Sequence, residues 1–203
     1  MKQRNIKKDY AKFSLMTKTK RDIIVYLTGA PKSASIEEYS RFMKDNGVTD
    51  IFCFCKPDYD TSNFSQLDIK YHNLEFPDGT APTVDILDKF DVTFDLILKT
   101  NSTKIENQKL TQKKTQPDEK LTKTNKHEMD VPIIISMHCY TGMGRAPTML
   151  AYLMISRCGY GRNKSVNVIR KRRKGTINSK QLDWIFSANI KKRQSKKFFC
   201  IIL

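Results

Sequence analysis

One segment of this sequence constrains the fold more than any other, because an apolar run leads through a loop with two glycines into a helical run. Residues 131–137 have the composition of a buried central strand, and residues 148–156 have that of a buried helix. A strand, a tight loop and a helix start point successive backbone N–H groups into one hollow. The segment therefore predicts an α/β fold with an anion-binding cradle beside a central strand.

Alternating segments elsewhere in the chain agree with that fold class. Strands are predicted at residues 22–28, 50–55 and 67–74, and helices at residues 35–47, 84–99, 163–174 and 179–190. Such alternation is typical of a central, mostly parallel sheet with helices packed against it.

The glycine-containing loop carries the groups needed to attack a phosphate monoester. Its sequence is His138-Cys139-Tyr140-Thr141-Gly142-Met143-Gly144-Arg145-Ala146-Pro147. Near the positive end of a helix, Cys139 is favoured in its thiolate form, which is the nucleophile. Arg145 can hold two phosphate oxygens with its planar guanidinium, while the backbone of residues 140–145 cradles the phosphate. The pattern predicts transfer of a phosphoryl group to Cys139.

Several motifs in the chain together resemble those of the cysteine-based protein tyrosine phosphatases, and among them the prenylated phosphatases of regenerating liver, or type IVA. Besides Gly-Met-Gly-Arg-Ala-Pro at residues 142–147, they are Cys55-Lys-Pro-Asp-Tyr-Asp60, Gly175-Thr-Ile-Asn-Ser-Lys-Gln-Leu182 and a terminal prenylation box. The resemblance spans residues 20–203 apart from residues 100–130. It implies the phosphatase fold and a tyrosine or dual-specificity phosphatase that needs no cofactor or metal.

Family members use an aspartate on a mobile loop to protonate the leaving oxygen, and Asp78 occupies the corresponding position here. The same residue could instead be an ordinary turn aspartate, since it lies in a Pro-Asp-Gly run. The group usually has Trp-Pro-Phe-Asp-Asp, whereas this chain has Leu-Glu-Phe-Pro-Asp at residues 74–78. Closure of the loop is therefore expected to differ.

The resemblance also suggests roles for three neighbouring residues. Ala146 lacks the hydroxyl that most tyrosine phosphatases carry at this position, so hydrolysis of the phosphocysteine is expected to be slow. Cys55 matches a position whose thiol forms a disulfide with the nucleophile Cys139, a pairing that protects it from over-oxidation. We expect Cys53 to face away from Cys55, and His138 to be either a loop-orienting group or a satisfied core histidine.

The charge of the chain is concentrated at its two ends. Of 37 Lys and Arg, seven lie in residues 1–20 and thirteen in residues 162–197, each stretch with a single acidic residue. Cys200-Ile-Ile-Leu203 matches a prenylation box behind a polybasic run. A lipid chain together with basic residues satisfies the two-signal rule for stable anchoring to an anionic membrane.

These features predict a basic extension at residues 1–20, a phosphatase domain at residues 21–190 with a flexible insertion at 100–130, and a lipidated tail at residues 191–203 with Cys200 as its anchor. We expect a reducing compartment and the cytoplasmic face of the plasma or endosomal membrane, with a cytosolic or nuclear pool left open. Nucleic-acid binding is not expected, because the basic run at residues 170–174 has no interleaved aromatic residues.

The expected partners are a phosphotyrosine protein or a phosphoinositide as substrate, a prenyltransferase and an anionic membrane; homo-oligomerisation is left open. The competing hypothesis is a weakly catalytic binding module. The resemblance implies a binding partner for that role: a membrane magnesium transport mediator of the cyclin M group, which would bind through the phosphatase pocket.

Overall fold

The computed structural model of the chain describes residues 10–17, 22–114 and 131–192. Its strands are β1 (Tyr10–Met16), β2 (Asp22–Gly29), β3 (Asp50–Cys53), β4 (Lys70–Asn73) and β5 (Ile133–Cys139). Its α-helices are α1 (Ile36–Asp45), α2 (Ser62–Ser65), α3 (Val84–Lys114), α4 (Arg145–Ser156), α5 (Arg162–Arg172) and α6 (Ser179–Ser187).

The strands form one sheet in the order β1-β2-β5-β3-β4. Only β1 is antiparallel to its neighbour, and the other pairs are parallel. Cys139, the last residue of β5, therefore lies level with Gly29 at the end of β2. Because parallel strands end at the same edge of a sheet, the loops that follow β2, β3 and β5 meet there.

Both faces of the sheet are covered. Large apolar side chains of α3, α4, α5 and α6 pack on one face, including Phe90, Phe94 and Leu150. The helices α1 and α2 cover the other face, with Tyr39, Met43 and Phe64 among the buried residues. Burial on both faces explains why β5 is almost continuously apolar. No helix in the described residues is both long enough and apolar enough to span a membrane.

The structure confirms the predicted fold class, a mostly parallel sheet flanked by helices, but two predicted boundaries are wrong. The basic extension at residues 1–20 contributes β1, where Ala11, Phe13 and Leu15 alternate inward. The prediction missed that alternation because it rested on charge and ignored the period of two. Residues 100–114 of the predicted flexible insertion continue α3, and the four Lys and two Gln among them favour helices. The rest of the insertion and Cys200 lie outside the described residues.

Candidate active site

The loop between β5 and α4 is fixed against the end of β2. Cys139 is buried at the end of β5, and α4 begins at Arg145. Gly142 has a φ of 67°, and a Cβ there would lie 2.4 Å from the carbonyl oxygen of Thr28. Only glycine combines this backbone conformation with so close an approach. The chain can therefore turn sharply from the nucleophile into the helix.

Arg145 provides a buried positive charge in this loop. Its Nη1 donates a hydrogen bond to the carbonyl oxygen of Phe76 at 3.0 Å, and its Nε lies 3.1 Å from Oδ1 of Asp78. Its Nη2 is buried and has no hydrogen-bond partner among the described residues. A buried guanidinium N–H is costly to leave unpaired, so an anionic ligand at this position would be strongly favoured.

Asp78 brings the predicted proton donor to the same site. It lies between β4 and α3, and its side chain is 76% exposed while one carboxylate oxygen contacts Arg145. The three residues predicted to carry the chemistry therefore lie at one edge of the sheet. No group of three or more His, Cys, Asp or Glu side chains in the described part of the chain could hold a metal ion.

The amino-terminal end of α6 contacts the acid loop and the phosphate loop together. Asn178 caps the helix by accepting from the Gln181 backbone, and its Nδ2 donates to the carbonyl of Gly79 at 3.0 Å. The fully buried Gln181 donates from Nε2 to the carbonyl of Thr80 at 3.1 Å. A Cβ on Gly144 would lie 3.2 Å from that same Nε2.

Sequence analysis assigned no role to either residue, because the helix was predicted over residues 179–190 and no contact with the acid loop was expected. The signal was present, since an Asn followed three positions later by Gln is a capping-box pattern. Asn178 and Gln181 hold the two backbone carbonyls that directly follow Asp78, so they fix the acid loop from outside.

Two buried tyrosines hold the ring of His138. The Oη of Tyr59 lies 2.6 Å from Nε2, and the Oη of Tyr39 lies 3.3 Å from Nδ1. Burial raises the pKa of Tyr39 to about 12, so this phenol stays protonated at neutral pH. His138 is thus a satisfied core histidine, and it also fixes the chain immediately before Cys139.

Cys53 and Cys55 lie side by side at the end of β3, with their sulfur atoms 3.8 Å apart. The expectation that Cys53 faces away is wrong, because residues two positions apart on an extended chain share a face. The contact with Cys53 and burial raise the pKa of Cys55. The amide of Phe54, the residue before Cys55, donates to the carbonyl of His138, the residue before Cys139, at 2.9 Å, so Cys55 lies beside the chain that carries the nucleophile.

The remaining predicted phosphate-binding residues form the rim and the outer wall of the loop. Tyr140 is 49% exposed, and its ring centre lies 5.4 Å from the guanidinium carbon of Arg145. The carbonyl of Thr141 accepts from Arg173 at 2.8 Å, and that of Met143 accepts from the backbone of Ile177 at 2.8 Å. These outward-directed contacts hold the loop in place.

Curated relatives are similar in sequence to this chain over most of their length. The probable protein tyrosine phosphatase type IVA B of Dictyostelium discoideum is 30% identical over 173 residues, covering 85% of each chain. The chain belongs to the protein tyrosine phosphatase type IVA, or PRL, family. The PRL-1 phosphatase of Drosophila melanogaster is 27% identical over 172 residues, 84% of this chain and 80% of that one. No protein-family model matches the chain.

Solved structures agree with the family assignment. A putative protein tyrosine phosphatase from Leishmania major covers 88% of this chain and 97% of its own, with a TM-score of 0.63 and 25% identity. The kinase associated phosphatase, at 16% identity and a TM-score of 0.53, shares the fold over 87% of this chain and 92% of its own. The chain is therefore a cysteine-dependent protein tyrosine phosphatase of type IVA.

Proposed function

We propose that this type IVA phosphatase cleaves phosphate monoesters through a phosphocysteine on Cys139, and that hydrolysis of this intermediate limits turnover. One observation carries the proposal above all others. The nucleophile, a buried guanidinium N–H without a partner and an exposed carboxylate converge at one edge of the described sheet. The same convergence is what phosphoryl transfer to a thiolate requires.

In the first half-reaction the Cys139 thiolate attacks phosphorus and the ester oxygen leaves. Arg145 and the backbone N–H groups of the loop stabilise the charge that develops on the phosphoryl oxygens. A bound phosphate competes with Asp78 for the guanidinium, because Arg145 contacts that carboxylate. Asp78 is then available to protonate the leaving oxygen.

In the second half-reaction water attacks the phosphocysteine and the thiolate leaves. Ala146 is fully buried next to Arg145 and presents only a methyl group. No hydroxyl at this position can donate a hydrogen bond to the departing sulfur. Asp78 can take the proton from the attacking water, so the step still proceeds, but more slowly than phosphoryl transfer to the enzyme.

The proposal is tested by trapping the intermediate. Reduced enzyme is mixed with a phosphate ester and quenched in acid, and the intact mass of the protein is measured by mass spectrometry. Wild type should carry a phosphoryl adduct, whereas Cys139→Ser should carry none and release no phosphate. Asp78→Asn should form the adduct more slowly from esters with poor leaving groups. A wild-type enzyme that turns over without any adduct would contradict the proposal.

The substrate class is proposed as a phosphotyrosine protein or a phosphoinositide. Positive charge near the site favours an anionic substrate or membrane surface. Arg172 and Lys174 are exposed there, and Arg173 contacts the phosphate loop. Comparison of kcat/KM for a phosphotyrosine peptide and for a phosphoinositide in vesicles distinguishes the two classes.

We further propose that Cys200 is prenylated and anchors the phosphatase to the cytoplasmic face of a membrane. The support is the terminal Cys-Ile-Ile-Leu box behind a polybasic run. The terminal Leu predicts geranylgeranyl, while the family resemblance implies farnesyl. The intact mass of the C-terminal peptide from cells distinguishes them, and Cys200→Ser should release the protein from membranes.

A second candidate function is binding of a cyclin M-type magnesium transport mediator through the same pocket. The buried Nη2 of Arg145 favours it, because a carboxylate of a protein partner would satisfy that donor as well as a phosphate. Phosphorylation of Cys139 would then block binding, and slow turnover would regulate it. A pull-down with equal capture by wild type and Cys139→Asp would exclude this function.

Finally, we propose a disulfide between Cys55 and Cys139 as an oxidised, inactive state. Support comes from the position of Cys55, because the preceding residues Cys53 and Phe54 pair with His138, which directly precedes Cys139. The disulfide should appear in peptide maps of peroxide-treated protein and be absent from Cys55→Ser.

A further inference from the structure

The thiols of Cys53 and Cys55 form a contact that phosphoryl transfer does not use. Their sulfur atoms are 3.8 Å apart, and both side chains are fully buried. Cys53 ends β3, and the chain bends at Cys55, so the segment between them is no longer a regular strand. Two sulfur atoms already in contact need little movement to form a disulfide.

Cys55 lies between two thiols. On one side it contacts Cys53, and on the other it lies beside the end of β5, where Cys139 is the last residue. The sheet produces this arrangement, because Cys53 pairs with His138 and the next amide, that of Phe54, donates to the His138 carbonyl at 2.9 Å. A single thiol between two others is suited to disulfide exchange.

We propose that Cys53 is a resolving thiol that releases Cys139 from a disulfide with Cys55, returning the oxidised phosphatase to an active form without an external thiol. The proposal rests on the Cys55–Cys139 pairing proposed above. The oxidant is hydrogen peroxide, which acts at Cys139 because that thiol is the nucleophile of the phosphate-binding loop, whereas Cys53 and Cys55 have no exposed surface.

The sequence of reactions balances at each step. Peroxide oxidises the Cys139 thiolate to a sulfenic acid and is reduced to hydroxide. The Cys55 thiol attacks that sulfur, forming the Cys55–Cys139 disulfide and expelling the sulfenic oxygen as water. The Cys53 thiolate then attacks the sulfur of Cys55, and the Cys139 thiolate leaves. The final state holds a Cys53–Cys55 disulfide and a free nucleophile.

The surroundings of Cys53 support its role as the attacking group. In the reduced protein the contact with Cys55 lowers the pKa of Cys53, and His138 acts in the same direction without depending on a free Cys55 thiol. The hydroxyl of Tyr59, 3.8 Å from the sulfur, can donate to a thiolate there. In the reduced protein the thiol donates to the carbonyl of Cys55 at 3.0 Å, so it is already directed at its partner residue.

The test follows the disulfides and the activity together. Full-length reduced protein receives one equivalent of hydrogen peroxide, and excess peroxide is removed with catalase. Samples are alkylated at intervals, digested with trypsin and analysed by mass spectrometry without reductant. Cys53 and Cys55 fall in one tryptic peptide, residues 45–70, because a proline follows Lys56 and prevents cleavage there. Their disulfide therefore appears as a peptide that lacks two hydrogens and takes up no alkylating agent.

In wild type the Cys55–Cys139 link should appear first and then give way to the Cys53–Cys55 peptide, while phosphatase activity returns. In Cys53→Ser the first link should persist, with activity about tenfold below wild type at the same time. Cys158→Ser is the matched control, because this partly buried cysteine lies outside the cluster and its replacement should leave the whole time course unchanged.

Each other outcome counts against the proposal. Equal persistence of the Cys55–Cys139 disulfide in wild type and Cys53→Ser would overturn the resolving role of Cys53 and leave the Cys55–Cys139 pairing intact. Absence of that disulfide in every sample would overturn both the pairing and the role of Cys53. Should Cys53→Ser fail to fold, Cys53→Ala provides the same comparison. Activity of the untreated proteins is measured in parallel, so failure of the phosphatase proposal is recognised separately.

Discussion

At the scale of single residues, Gly142 is where the active-site loop depends most on the absence of a side chain. Its φ is positive, and a Cβ at this position would lie 2.4 Å from the Thr28 carbonyl oxygen, so any larger residue requires the backbone to move. Gly142→Ala should therefore shift the phosphate cradle and lower kcat/KM by about 100-fold. Steady-state hydrolysis of a small phosphate ester measures this effect.

Gly161 provides the matched control for that substitution. It precedes α5 with a φ of −74°, and a Cβ there would meet no atom within 4 Å. Gly161→Ala should keep wild-type kcat/KM and change the free energy of unfolding by less than about 1 kcal/mol. Wild-type kinetics in Gly142→Ala would show that the loop does not need its close contact with β2.

The sequence allowed Cys139, Arg145 and Asp78 to be predicted because each lies in a local motif, and the structure brings them together. It did not reveal the contacts of Asn178 or Tyr59. Asn178 meets Gly79 from 99 positions away, and Tyr59 meets His138 from 79 positions away. Partners so distant along the chain leave no periodicity or spacing to detect.

At the scale of elements, the amino-terminal end of α6 should control proton donation by Asp78. Asn178→Ala removes the hydrogen bond to the Gly79 carbonyl, one residue beyond the acid. We expect about a tenfold loss in the rate of phosphoryl transfer from esters with poor leaving groups, and little loss with activated esters that need no proton. A series of aryl phosphates of different leaving-group pKa measures this dependence.

Lys180→Ala is the control, since Lys180 is exposed on the same helix and should leave the leaving-group dependence unaltered. Gln181→Ala should behave like Asn178→Ala, because it removes the bond to Thr80. If neither variant alters the leaving-group dependence, α6 does not position the acid.

Element type was more predictable than element boundaries. The strand β5 and the helix α4 follow strong apolar patterns, while α5 and α6 were predicted from start and stop signals at their ends. The structure confirms all four within a few residues. The strand β1 was missed because the prediction followed the basic charge of residues 1–20 and overlooked the apolar residues that alternate within them. The end of α3 was misplaced because apolar residues become sparse in the sequence after residue 98, so no periodic pattern there distinguishes helix from coil.

At the scale of the whole molecule, a buried ion pair joins α3 to the end of α4. Asp91 is fully buried and contacts Nη2 of Arg157 at 3.0 Å and the hydroxyl of Tyr152. Asp91→Ala leaves Arg157 with the half-exposed Asp95 as its remaining carboxylate partner among the described residues, and it removes the carboxylate that accepts from the Tyr152 hydroxyl. We expect a loss of about 2–4 kcal/mol in the free energy of unfolding, measured in urea by the fluorescence of Trp184, the single tryptophan.

The control for this measurement is Asp85→Ala on the same helix. Asp85 is 69% exposed and pairs with Lys89 one turn later, so its loss should cost less than about 0.5 kcal/mol. A similar small cost for Asp91→Ala would mean that the buried pair contributes little to holding the helices together.

The fold class followed from alternating strand-like and helix-like segments, while the strand order did not. The order β1-β2-β5-β3-β4 depends on which apolar faces match in three dimensions, and no local pattern records that choice. The position of the active site was nevertheless predictable, because a glycine loop between a central strand and a helix lies at the carboxyl edge of a parallel sheet.

Phosphoryl transfer to Cys139 followed by slow hydrolysis predicts two phases of leaving-group release. A rapid-mix time course of ester cleavage measures both phases. Fully reduced wild type should release about one equivalent of leaving group in a burst and then turn over slowly. Ala146→Ser should raise the slow rate and keep the burst, and Cys139→Ser should show no burst. Absence of a burst in wild type, or a burst that survives in Cys139→Ser, would contradict the account.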